Sequence, residues 1–277
     1  MTERYAVFGN PIMHSKSPLI HTAFAEQTGQ DLQYSAILVA EDGFTDAVDN
    51  FLQESGKGLN ITIPFKEEAW ALAQQHSDRA QLAGAVNTLY RNAQGELCGD
   101  NTDGVGLVTD ITVNHGGQLQ GKDLLILGAG GAVRGVLEPI LVQRPNRVVI
   151  ANRTLARAET LAELFAGYGE VEACSFADLQ DQQFDLVING TAASLQGEVP
   201  PLPDDLLKSD AWCYDMMYSA EPTAFNTWAA EHGAEKVIDG LGMLVEQAAE
   251  SFSIWRGVRP DTSEVIQELR HQLLANK

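Results

Sequence analysis

A chain of 277 residues, 44% hydrophobic and 20% charged, is long enough to bury the core of one large or two medium globular domains. Its formal net charge of -20 excludes nucleic acid and anionic membrane surfaces as natural partners, so any anionic ligand must be met by locally placed donors. Cys98, Cys174 and Cys213 are isolated and odd in number, which excludes a zinc framework or a disulfide scaffold and fits reduced thiols in a cytoplasm.

The first residues lack the basic-then-apolar pattern of a signal peptide, and no apolar run is long enough to span a bilayer, so a cytoplasmic location is expected. Tyr5-Ala6-Val7-Phe8, ended by Gly9-Asn10-Pro11, reads as a first buried strand. Ser17 before Pro18, with Leu19, Ile20 and Phe24 at helical spacing, predicts a helix with the serine as its N-cap. Residues 34–39 predict a second strand and 43–54 a second helix. In Asn60-Ile61-Thr62-Ile63-Pro64-Phe65-Lys66, polar Asn60 and Thr62 alternate with Ile61 and Ile63, so a strand is expected with both polar groups on one face. Pro64 stops that strand and pre-sets a helical turn, placing Lys66 at the start of a helix over about 67–75. The positive end of a helix dipole disfavours an ammonium, which is one way to make a lysine a usable proton carrier near neutral pH.

A second series of strands and helices begins at Asp123. Leu124-Leu125-Ile126-Leu127, Val148-Val149-Ile150-Ala151 and Leu186-Val187-Ile188 are short, wholly apolar strands, as in a parallel sheet covered on both faces. Helices are expected between them at 132–141 and 156–165. The fold class is therefore α/β in two domains: an N-terminal α/β substrate domain over 1–103 plus 240–277, and a Rossmann-type doubly wound domain over 104–239. An apolar helix at 241–255 and an amphipathic one at about 263–274 are expected to pack back on the first domain.

Gly128-Ala129-Gly130-Gly131-Ala132 directly follows a strand and opens a helix, where glycines let a pyrophosphate approach the helix N-terminus. At the end of the next strand, where NAD binders carry a carboxylate for the ribose, stand Asn152-Arg153-Thr154 and then Arg157. Two guanidinium groups and a hydroxyl suit a 2′-phosphate, so NADP is the expected cofactor.

On the substrate side, Ser15 and Ser17 lie at a helix N-terminus, and their hydroxyls with free backbone N–H groups make a cradle for a carboxylate. Asn60, Thr62, Lys66, Asn87 and Asp103 also fall at strand ends or in loops. That convergence points to a polyhydroxylated small molecule. Lys66 is the group able to change protonation usefully, and Asp103 can orient it or share its proton. His14, His21 and His76 are scattered, so no metal site is expected.

These segments, with Gly84-Ala85-Val86-Asn87-Thr88, Asp100-Asn101-Thr102-Asp103-Gly104, Tyr214-Asp215-Met216 and Asp239-Gly240-Leu241-Gly242-Met243, resemble the shikimate dehydrogenase family over nearly the whole chain. The resemblance implies NADP-linked interconversion of 3-dehydroshikimate and shikimate, a step toward chorismate and the aromatic amino acids. It implies Lys66 as the acid/base group and Asp103 as its partner. It also implies Ser15, Ser17 and Tyr218 at the substrate carboxylate, with Asn60, Thr62, Asn87 and Gln247 at the substrate hydroxyls. Gly128, Ala129, Gly130, Gly131 and Ala132 would hold the pyrophosphate, and Asn152, Arg153, Thr154 and Arg157 the adenosine end. Met216 and Gly240 would line the nicotinamide, with Asp78 also reaching the cofactor. One departure is Asn189-Gly190-Thr191-Ala192-Ala193-Ser194, which lacks the hydroxyl usual after the threonine. NAD-using quinate/shikimate dehydrogenases of the same superfamily tend to carry an acid where Asn152-Arg153 stands. A non-catalytic ligand sensor on this fold would need neither Lys66 nor Asp103. A homodimer is compatible with the sequence.

Overall fold

The computed structural model describes residues 2–275, and its contacts divide the chain into two units. The first comprises the chain to Gly106 together with Val245–Val265; the second comprises Leu107–Leu244 and the chain from Ile266 onward.

The first unit begins with β1 (Glu3–Gly9), α1 (Ser17–Thr28), β2 (Leu32–Leu38), α2 (Phe44–Gln53), β3 (Gly56–Ile61) and α3 (Lys66–Leu72). It continues through β4 (Gln75–His76), α4 (Asp78–Ala83), β5 (Thr88–Arg91) and β6 (Leu97–Asp100) to α5 (Asp103–Thr109). The strands form one sheet in the order β2-β1-β3-β5-β6-β4. β1 pairs parallel with β2 and β3, while β5 runs antiparallel to both β3 and β6. One face buries Phe8, Phe44, Phe51, Leu59, Ile61 and Phe65.

Two local expectations are corrected. The strand stops at Ile61 rather than Ile63, because Thr62 to Phe65 form a turn closed by Phe65 N–H donating to Thr62 O at 3.1 Å, with a cis Ile63–Pro64 bond. Pro64 thus lies before the helix, and Lys66 is its first residue. Lys16, not Ser17, is the N-cap of α1, and its side chain makes no capping bond. The Ser17 hydroxyl is thereby released from capping.

His21 on α1 is an unforeseen feature of this unit. It is 1% exposed and stacks on Tyr34 with centroids 4.2 Å apart, and among the described residues neither ring nitrogen has a hydrogen-bond partner. Burial, opposed in part by nearby Asn60, pushes its imidazole down to about 3. The folded chain therefore holds His21 neutral, while the unfolded chain takes up a proton below its ordinary 6.5. Stability is lost as pH falls from 6.5 toward 3, by about 1.4 kcal/mol per pH unit. Relative to a His21→Phe chain, the wild type should lose about 2 kcal/mol of unfolding free energy between pH 7 and pH 5. Urea unfolding at both pH values measures this, and a pH-independent gap between the chains contradicts it.

The second unit carries a π-helical turn (Asp110–Asn114), β7 (Asp123–Leu127), α6 (Gly131–Val142), β8 (Arg147–Ala151), α7 (Leu155–Phe165) and β9 (Val171–Cys174). β10 (Phe184–Asn189), β11 (Leu207–Asp215), α8 (Ala224–Glu231) and β12 (Lys236–Asp239) complete a wholly parallel sheet in the order β12-β11-β10-β7-β8-β9. The order reverses about β7, so crossover helices cover both faces and the apolar strands are buried throughout. α9 (Leu241–Arg256) supplies most of the return to the first unit. α10 (Ser263–Ala275) departs from the expected pattern, since the chain from Ile266 groups with the second unit. Its Arg270 donates to Asp239 Oδ1 at 2.5 Å and to Ser219 O at 3.2 Å, anchoring it there.

Candidate active site

In the first unit β3 ends at the turn that leads into Lys66, while β6 leads into the loop Asp100-Asn101-Thr102-Asp103. That loop is fixed at its base. Asp100 accepts from Arg79 Nε and Nη2 at 2.7 and 2.9 Å, from Ser77 Oγ at 2.5 Å and from the Asn101 N–H at 2.7 Å. At its tip the half-buried Lys66 Nζ lies 2.6 Å from Asp103 Oδ2. Asn87 Nδ2 donates to the other carboxylate oxygen, Asp103 Oδ1, at 2.8 Å.

The orientation of the Asn87 amide follows from a group that has no choice of role. The Thr102 backbone N–H can only donate, and it points at Asn87 Oδ1 at 3.0 Å. The NH₂ end therefore faces Asp103, and also Thr102 Oγ1 at 2.9 Å. Both Asp103 oxygens thus face N–H donors.

Gln247 joins this cluster, its Oε1 accepting from Asn87 Nδ2 at 3.3 Å and Thr102 Oγ1 at 3.4 Å. Thr62 is half-buried, and among the described residues its hydroxyl has no partner. Ser15 Oγ accepts from the Ser17 N–H at 3.3 Å beside the uncapped start of α1. Asn60 differs from expectation. It is 7% exposed, and its amide is committed to Tyr34, Asn87 O, Thr88 and Ser251, so it supports the site from behind. Asp78, at the start of α4, is exposed and outside this cluster. Tyr218, Met216 and Gly240 belong to the second unit. Thr88, Thr102 and Ser251 were missed as site residues, although Ser251 lies four residues beyond Gln247 and so on the same helix face.

In the second unit the chain leaves β7 at Gly128, whose φ of 103° is costly for any other residue. α6 starts at Gly131 without a side-chain cap, leaving exposed N–H donors at Gly130 and Gly131. A Cβ at either glycine would meet nothing within 4 Å, so the space in front of them is open. β8 ends at Ala151, paired with Leu127, which brings Asn152 and Arg153 beside the glycine loop. Asn152 Nδ2 donates to Thr154 O at 2.8 Å. Arg153, Thr154 and Arg157 are exposed, and among the described residues neither guanidinium forms an ion pair or hydrogen bond. Free N–H groups at a helix start and two unpaired guanidiniums next door suit a pyrophosphate and a 2′-phosphate. No acidic side chain stands among residues 151–157 to repel the latter.

The departing segment after β10 is also ordered. Ser194 Oγ donates to Asp215 Oδ2 at 2.7 Å, and Asn189 Nδ2 to Asp215 Oδ1 at 3.1 Å. Asp215 further accepts from Thr223 Oγ1 at 2.6 Å and the Met217 N–H at 3.0 Å. Ser194, two residues after Ala192, thus anchors the loop to Asp215. Met216 follows directly, and a Cβ at Gly240 would come within 2.2 Å of its carbonyl oxygen, so only glycine fits there.

Residues 7–89 match the model of the shikimate dehydrogenase substrate binding domain, residues 110–196 that of shikimate / quinate 5-dehydrogenase, and residues 240–270 that of the shikimate 5′-dehydrogenase C-terminal domain. A shikimate dehydrogenase (NADP(+)) of Alkalilimnicola ehrlichii is 62% identical over 98% of this chain and 99% of its own length. The chain belongs to the shikimate dehydrogenase family. Among solved structures of similar fold, an Ael1 enzyme from Pseudomonas putida aligns with a TM-score of 0.93 and 47% identity, covering 97% of this chain and 98% of that one. A shikimate 5-dehydrogenase from Thermus thermophilus, in complex with NADP(H) and shikimate, aligns with a TM-score of 0.85 and 32% identity over 98% and 99%. Among the described residues no helix is long and apolar enough to cross a membrane, and no group of three or more His, Cys, Asp or Glu side chains could hold a metal ion.

Proposed function

We propose that this member of the shikimate dehydrogenase family reduces 3-dehydroshikimate to shikimate with NADPH, and runs the reverse reaction with NADP+, in the cytoplasm. The observation that carries the reading is the Lys66–Asp103 contact at 2.6 Å, with Asn87 donating into the same carboxylate. Such a pair supplies a proton at a fixed point, which ketone reduction requires.

The substrate carboxylate is taken by the Ser15 and Ser17 hydroxyls at the start of α1, and Tyr218 is assigned to substrate binding as well. Thr62, Asn87 and Gln247 meet the ring hydroxyls, and Asn60 holds Asn87 in place. Lys66, as its ammonium, donates a proton to the alkoxide oxygen forming at the ketone carbon. Asp103 keeps that ammonium aimed, and the half-exposed position of Lys66 lets it regain a proton from water. Bound NADPH supplies the hydride. Gly128, Ala129, Gly130, Gly131 and Ala132 hold its pyrophosphate. Asn152, Arg153, Thr154 and Arg157 hold the adenosine end, and Met216 and Gly240 lie against the nicotinamide. We assign substrate binding chiefly to the first unit and NADP binding to the second.

With purified chain, NADPH absorbance should fall on addition of 3-dehydroshikimate, with shikimate formed mole for mole. Unchanged absorbance contradicts the assignment.

A further inference from the structure

Arg79 is the second residue of α4, and its side chain is 18% exposed. The short helix has no need of it. Ser77 caps that helix, its Oγ accepting from the Ala80 N–H at 3.2 Å, and a first turn favours acidic rather than basic side chains. Holding a guanidinium largely out of water is costly unless it is paired, so the position requires a separate explanation.

The guanidinium joins two elements of the substrate side. Nε and Nη2 meet both oxygens of Asp100 at 2.7 and 2.9 Å, and Nη2 also donates to Glu250 Oε1 at 3.0 Å. On the first side, the Asn101 N–H donates to Asp100 Oδ1 at 2.7 Å, and Asn101 Oδ1 accepts from the Asp103 N–H at 3.1 Å. The other end of that amide donates to Ala85 O, a carbonyl that can only accept, so the Asn101 side chain has one permitted orientation. Three bonds thus lead from the guanidinium to the backbone of the residue that holds Lys66. On the second side, Glu250 lies three residues beyond Gln247 in α9, a spacing that puts both on one helix face. Its other oxygen, Oε2, accepts from Arg259 Nη1 at 2.8 Å, and Arg259 Nη2 donates to Glu246 Oε2 at 2.6 Å. Glu250 is therefore fixed from two directions.

We propose that Arg79 is a positioning residue, its planar fork locking the loop that carries Asp103 to the helix that carries Gln247. It acts through Asp100 and Glu250 rather than on the substrate. The inference rests on the assignment of shikimate as substrate. It makes the spacing between the Lys66–Asp103 pair and the Gln247 amide depend on one side chain. A lysine would keep the charge, but it cannot offer parallel N–H groups to Asp100 while it reaches Glu250.

Arg79→Lys should lower kcat/KM for shikimate about tenfold to a hundredfold, the scale of a small misplacement of reacting groups. The loss should appear in both kcat and shikimate KM, while KM for NADP+ stays at its wild-type value. In a Gln247→Ala background the same substitution should raise shikimate KM by a smaller factor, because the contact it positions is already gone. Glu250→Gln leaves the fork on Asp100 intact, so it should raise shikimate KM and lower kcat less than Arg79→Lys does. A purely structural role would lower the melting temperature of Arg79→Lys without this kinetic pattern. Wild-type kcat and shikimate KM in Arg79→Lys overturn the inference, as does an equal rise in KM with and without Gln247. If Arg79→Lys does not fold, Glu250→Gln decides, and a wild-type shikimate KM there overturns the inference. Absence of shikimate turnover in the wild type would instead refute the substrate assignment, so the two failures are distinguishable.

Discussion

Replacing Lys66 with alanine should lower kcat for shikimate oxidation by roughly 10²–10⁴-fold, the range lost with a positioned general acid–base group. The loss should fall on kcat rather than on binding. Lys66 is half-exposed at the first position of α3, so its removal opens no cavity, and the Asp103 carboxylate keeps the Asn87 donor at 2.8 Å. The serine cradle, Thr62 and Gln247 are untouched. Initial rates together with a calorimetric shikimate Kd separate the two effects. Wild-type kcat in the Lys66→Ala chain would remove the lysine from the mechanism.

The second large effect concerns the cofactor. Arg153 and Arg157 are exposed, unpaired among the described residues, and set in a chain of charge -20, where cations next to the glycine loop have no evident structural task. Changing both to alanine should raise KM for NADP+ at least about tenfold to a hundredfold, as expected for losing charge-assisted bonds to a phosphate. KM for NAD+ should stay nearly constant, because NAD+ lacks the 2′-phosphate these groups meet. The melting temperature should not move. Paired initial-rate measurements with both cofactors give the ratio, and an unchanged NADP+/NAD+ preference contradicts the assignment.

Legibility from sequence followed the range of the interactions. The glycine loop, its flanking strands and the arginines after β8 are set by local patterns within one βαβ unit, and they lie where the sequence places them. The Lys66–Asp103 contact was readable because each residue closes a short polar segment at a strand end. The first unit was harder. β5 and β6 are four residues each, too short for a period-2 signal, and their antiparallel turn is marked only by Asn92 and Gly95. Thr62 and Ile63 continue the alternation of β3 yet leave it, because the turn bond between Phe65 and Thr62 outweighs pattern. Asn60 was read as facing a ligand. Its amide instead meets Tyr34, 26 positions away, and Ser251, 191 positions away, and no local motif reports such partners. The final helix departs for a similar reason: it buries Val265 and Leu269 and meets Asp239 through Arg270, partners that no local motif reports.

The central claim is that one lysine-based site on this chain acts on shikimate with a cofactor chosen by two arginines. A single preparation given shikimate with NADP+ or with NAD+, followed at the reduced-nicotinamide absorbance band, tests it most directly. The account predicts a clear rate with NADP+ that exceeds the rate with NAD+ at equal concentrations. No rate with either cofactor, or a faster rate with NAD+, would contradict it.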